Sequence, residues 1–146
     1  MDWKYRSDDY RSVSLHDHDL TELRPDGGEL LLMFESGFDV CAENPLNETG
    51  RHKHTGKAAV ALKDGKLLQG TLYLSDKDEK PLGEEEIAAL TIEVLDFKRY
   101  PDSVFLECDA WGAARECCYC QIEFACSGVA FCWNEFTGDA WFQDLN

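Results

Sequence analysis

All four histidines of the chain fall in two His-x-His pairs, His16-Asp17-His18 and His52-Lys53-His54. On an extended backbone residues i and i+2 face the same side about 7 Å apart, so each pair can aim two imidazoles at one point. Neutral imidazole is a common ligand of transition metals, and this is ligand spacing. Such a site would draw on His16, His18, Glu22, His52 and His54.

The first pair runs on as His16-Asp17-His18-Asp19-Leu20-Thr21-Glu22, an H-x-H-x3-E string similar to the metal-binding string of cupins, which are small jelly rolls. The likeness covers seven residues; Tyr10 stands at the family's glycine position, and no histidine follows His54. What it implies is a metal-dependent enzyme using the histidine pairs. The competing reading makes His16 and His18 surface residues entering a strand, with Asp17 and Asp19 forming local turn bonds.

Other chemistry-bearing groups read as structural. Arg51-His52-Lys53-His54-Thr55-Gly56-Lys57 is the one basic cluster, but it lacks the spacing of a phosphate-binding loop. Cys117, Cys118, Cys120, Cys126 and Cys132 crowd one stretch without the paired C-x2-C spacing that structural zinc uses. Cys118, Cys120, Ile122, Phe124 and Cys126 alternate onto one face, as core residues do, with Cys132 on the opposite face. Asp76-Lys77-Asp78-Glu79-Lys80 begins like a calcium loop, then puts Pro81 where the glycine belongs. Glu107 and Asp109 share a strand face, and Glu84, Glu85 and Glu86 form a short acidic run.

The elements that position these groups are read from turn chemistry. Pro25-Asp26-Gly27-Gly28, Asp64-Gly65, Tyr100-Pro101-Asp102 and Ser127-Gly128 each separate two strand-like runs, predicting four hairpins. Leu30-Leu31-Leu32-Met33-Phe34 is apolar throughout, which predicts a strand covered on both faces and an N-terminal hairpin inside the architecture. Gly83–Leu90 allows one or two helical turns. Without long helices between strands, the expectation is a single all-β domain over 1–146. It is an antiparallel sandwich or flattened barrel of about eight or nine strands, mostly hairpins. Leu32, Phe34, Val60, Leu72, Ile92, Val94, Leu106, Ile122, Phe124 and Phe131 are its predicted core.

Charge sets the function classes. The 146 residues carry 29 acids against 14 Lys and Arg, a net charge of −15, and from Tyr100 onward Arg115 is the only base. Such a surface cannot displace counterions from phosphates, which excludes nucleic acid as a partner. No apolar run suits a membrane span or a signal peptide, so a cytoplasmic protein with reduced thiols is expected. No nucleophile elbow, Walker loop or dinucleotide fingerprint is present. The leading expectation is therefore a non-enzymatic acidic interaction module without a cofactor, inhibitor-like or immunity-like toward a basic protein. Its contacts would be Glu84, Glu85, Glu86, Glu107 and Asp109, and a homo-oligomer is compatible with it. The alternative is the cupin-like metal-dependent enzyme.

Overall fold

The two-faced apolar run Leu30–Phe34 lies in a strand with a neighbour on each side and a packed layer on each face. The computed structural model describes residues 1–74, 77–112 and 116–145. That strand, β5 (Glu29–Phe34), belongs to a five-stranded sheet ordered β1 (Tyr5–Ser7), β14 (Gly128–Trp133), β8 (Ala58–Lys63), β5 and β4 (Glu22–Asp26). A six-stranded sheet runs β10 (Glu79–Pro81), β9 (Lys66–Tyr73), β13 (Cys117–Ala125), β12 (Ser103–Trp111), β11 (Thr91–Tyr100) and β3 (Asp19–Leu20). A four-stranded sheet of short strands runs β15 (Phe136–Asp139), β7 (Lys53–Thr55), β6 (Asp39–Val40) and β2 (Val13–Ser14). Neighbouring strands pair antiparallel throughout. The fold is an all-β sandwich with fifteen strands among the described residues, more than the eight or nine expected because two- to four-residue strands leave almost no periodic trace.

The main core lies between the two larger sheets, where Leu32, Phe34, Val60, Phe131 and Trp133 meet Val94, Val104, Leu106, Ile122 and Phe124. All ten predicted core residues are buried. On the other face of the five-stranded sheet Leu31, Met33, Ala59, Ala61, Ala130 and Cys132 form a second apolar layer against Trp3. The short α-helix α1 (Glu84–Ala88) buries Ile87 and sets Glu84, Glu85 and Glu86 in its first turn, where the helix dipole favours negative charge.

Two of the four expected hairpins form, β4 with β5 and β11 with β12. In the first, β4 is an edge strand rather than an interior one, which is where Pro25, lacking an N–H, is tolerated. The other two connections carry the chain between sheets. β8 pairs with β5 and β14, β9 with β13 and β10, and β13 and β14 likewise part company. Hence Cys126 does not oppose Val129 nor Phe124 Phe131; they face one core from different sheets.

Turn conformation alone does not sort the four connections. Gly27 and Asp64, each first in its turn, have φ 61° and 53°, yet only the former closes a hairpin, and the β11–β12 hairpin closes Tyr100 against Ser103 over Pro101-Asp102 with positive φ at neither. Gly65 serves close packing, since a Cβ there would lie 2.7 Å from the Cβ of Leu62. The turns bond to one another, Asp64 N–H donating to Gly28 O at 2.8 Å and Ser127 Oγ to Asp64 Oδ2 at 2.8 Å.

Candidate functional site

The small sheet brings Asp39 and His54 together. β6 and β7 pair with Asp39 opposite His54 and Val40 opposite Lys53. Val40 points into the main core, so Asp39 turns to the other face, where His54 meets it. Asp39 is the buried acid of the structure, alone of its kind among the described residues.

His18 reaches the same carboxylate from a turn. Asp17 has φ 67°, a left-handed conformation, and its N–H donates to Val94 O while His18 O accepts from Val94 N–H. This turn breaks the extended geometry on which a shared aim depended, so the first pair diverges. His16 Nδ1 contacts Leu95 O at 2.7 Å, and His18 Nε2 contacts Asp39 Oδ2 at 2.7 Å. His54 Nδ1 lies 2.8 Å from Asp39 Oδ1, and its Nε2 lies 2.6 Å from Ser36 O. The His18 and His54 ring centres are 5.0 Å apart.

The second pair keeps a common face but different targets. His52 joins Cys41 and Glu43, whose ligand-type atoms and its own lie within 4.8 Å of one another. Its Nδ1 accepts the Ala42 N–H at 3.0 Å, so a metal at Nδ1 must displace that bond and one at Nε2 would require an imidazolate. Burial, and then Glu43, raise the Cys41 thiol pKa, which opposes a thiolate ligand. Glu22 is held by Arg24, at 2.8 and 3.0 Å, in β4. The five sequence candidates for metal therefore do not meet at one point. One histidine of each pair converges on an aspartate that the sequence reading did not single out.

Asp39, Cys41 and Glu43 alternate opposite His52 and His54. That pattern was available only to a reading that paired residues 39–43 with 52–54. The intervening loop is built rather than loose: Asn47 Nδ2 donates to Val40 O, Cys41 O and Arg51 O, and Asn44 Nδ2 to Ser7 Oγ and Ser12 Oγ. The basic cluster is internally neutralised, Arg51 and Lys53 both binding Asp139 of β15 and holding its carboxyl down to about 2.

Glu107 and Asp109 stand on the outward face of the six-stranded sheet. There the ladder sets Glu93 directly opposite both Asp19 and Asp109, and Asp96 opposite Glu107. Lys98 answers Glu107 at 3.3 Å. Partial burial and the charges of Asp17 and Asp19 raise the Glu93 pKa. Tyr119 opposes Asp109 and Phe105 opposes Lys98, so aromatic rings are interleaved with the acids. Glu84, Glu85 and Glu86 lie apart on α1, with Glu86 accepting the Gly83 N–H. Asp76, which opens the calcium-like run, and Arg115 lie outside the described residues.

The cysteines are free thiols, with Cys117 exposed, Cys41 half-buried and Cys108, Cys118, Cys120, Cys126 and Cys132 buried. Burial pushes Cys120 up to about 12 and Cys132 to about 11. An aromatic disulfide reagent is expected to modify Cys117 readily and Cys41 slowly, leaving the buried five until denaturant is added, when all seven titrate. Fewer than seven thiols in denaturant without reductant would show a disulfide instead.

Comparison with family models, with curated proteins and with solved structures gives no match. No helix among the described residues is long and apolar enough to cross a membrane.

Proposed function

We propose that the protein is a non-enzymatic interaction module that presents the outward face of its six-stranded sheet to a basic protein, as inhibitor-type and immunity-type proteins do. One observation carries this reading: acids face acids across the ladder at Asp19–Glu93 and Glu93–Asp109, whereas the third such pair, Asp96–Glu107, is already bridged by Lys98. Directly opposed like charges destabilise a sheet, and Lys and Arg from a partner would relieve that repulsion. Interleaved Phe105 and Tyr119 supply apolar area of the kind that anchors interfaces. Glu84, Glu85 and Glu86 add to the attracting field from α1 without sharing the face. A metal-dependent enzyme built on intact His-x-His pairs draws less support, because His16 and His52 are engaged by Leu95 O and the Ala42 N–H.

The test has one readout without a partner and one with it. Glu93→Gln should stabilise the free protein by roughly 0.2–1 kcal/mol in urea unfolding. The sign follows from the raised acid: ionised at neutral pH it disfavours the native state, and that penalty vanishes as pH falls through its native value. A panel of basic proteins is then screened at low salt. A partner should lose association rate by about tenfold on raising the salt, and by a similar factor with the Glu93→Gln, Glu107→Gln, Asp109→Asn variant. Replacing His16, His18, His52 and His54 by Gln should leave that rate nearly unchanged. If no basic protein distinguishes wild type from the triple variant, the acid face serves only solubility and the reading fails.

A further inference from the structure

We propose that His18, Asp39 and His54 form a binding site for a divalent transition-metal ion of the zinc class, with His18 Nε2, one Asp39 oxygen and His54 Nδ1 as ligands. This proposal does not depend on the interaction reading. It rests on geometry in three steps.

First, the donor set is right in kind and number. Two imidazoles and one carboxylate are a recurrent ligand set for zinc and related first-row ions, leaving a fourth position for water. The three ligand atoms lie within 4.8 Å of one another. Tetrahedral zinc with bonds of about 2.0 Å spaces its ligand atoms about 3.3 Å apart. The contacts here, His18 Nε2 to Asp39 Oδ2 at 2.7 Å and His54 Nδ1 to Asp39 Oδ1 at 2.8 Å, are hydrogen bonds to opposite oxygens of one carboxylate, so an ion replaces both bonds and draws the two imidazoles to one oxygen.

Second, His54 is oriented as a ligand. Its Nε2 donates to Ser36 O at 2.6 Å, which leaves Nδ1 aimed at Asp39. An imidazole that gives one N–H to a backbone carbonyl while the other nitrogen faces the site is the usual outer-shell arrangement of a metal-binding histidine. His52 is set up the opposite way, with Nδ1 already filled by the Ala42 N–H.

Third, Asp39 is otherwise an expensive residue. Its side chain is 1% exposed, its polar contacts are the two imidazoles, and no Lys or Arg among the described residues pairs with it. A buried carboxylate without a fixed cation is costly, and a divalent ion compensates it more fully than imidazole does. The His18 and His54 side chains are 14% and 26% exposed, so the ligands are reachable from solvent. An ion here would tie the turn before β3 to β6 and β7.

The competing account is that the imidazoles merely neutralise Asp39. Chelator-treated protein is titrated with ZnCl2 by calorimetry, and with CoCl2 while visible absorption is followed. Expected are one ion per chain, an intense tetrahedral cobalt spectrum, and a rise in Tm of about 5–10 °C at a hundredfold excess over Kd. His18→Gln and His54→Gln should each raise Kd by about 100-fold or more, whereas His16→Gln and His52→Gln should change it by less than about threefold. Because the first two variants also disturb Asp39, imidazole nitrogen resonances of the wild-type protein are followed on adding Zn2+. Those of His18 and His54 should shift, and those of His16 and His52 should hold still. Absence of stoichiometric binding, undiminished binding in both site variants, or shifts confined to His16 or His52 would each overturn the proposal.

Discussion

Trp133→Ala is expected to cost about 3–5 kcal/mol of folding stability, whereas Trp133→Phe should cost well under half of that. Trp133 is fully buried, stacked 5.6 Å from Tyr5 and 6.1 Å from Phe136, with Phe38 edge-on at 6.3 Å. Its strand lies between β1 and β8, where Trp133 stands opposite Tyr5 and Ala58. Alanine opens a cavity that these rings cannot collapse into without breaking the ladder. Phenylalanine loses some volume but also removes an indole N–H that is buried without a hydrogen-bond partner, a group whose desolvation alone costs about 1–3 kcal/mol. Urea unfolding followed by circular dichroism measures both, and the slopes should match wild type. A loss below 1 kcal/mol for alanine would contradict the packing. A phenylalanine variant as damaged as alanine would mean that the N–H is satisfied by internal water.

The pattern of what the sequence disclosed follows from range. β11 and β12 were legible because Ile92, Val94, Val104, Leu106 and Cys108 alternate beside a local turn, and both strands are long. Core faces were legible for the same reason, even in β13 and β14, whose mutual pairing was misread. There the alternation correctly reported which side is buried, but Ser127-Gly128 does not report whether the chain folds back or crosses to the facing sheet. The histidine cluster depended on still less visible features. Strand β6 is two residues long, so its pairing with β7 has no periodic signature. A single left-handed residue, Asp17, separates the aims of His16 and His18. Asp39, placed between Phe38 and Val40, was the available clue: an acid flanked by residues that both go to the core must turn to the opposite face and find a partner there.

That partner relation gives the second large effect. His54→Leu, measured in the presence of a chelator so that no ion contributes, is expected to destabilise the protein by about 3–5 kcal/mol. The variant leaves the buried Asp39 carboxylate with His18 as its one remaining polar contact among the described residues. The loss therefore reports an uncompensated buried carboxylate rather than the net strength of one hydrogen bond. Two further variants separate those meanings. Asp39→Asn removes the charge but keeps an acceptor and a donor toward the two rings, so it should cost less than His54→Leu. Replacing His18, Asp39 and His54 together by Leu removes every polar group of the cluster, and should return to within about 1–2 kcal/mol of wild type, because apolar replacement of a whole buried ion pair is often neutral. Strong non-additivity is thus the expected signature, as it is for residues in direct contact. If the single and triple variants instead lose stability additively, the three side chains act independently, and the hydrogen bonds at 2.7 and 2.8 Å do not couple them.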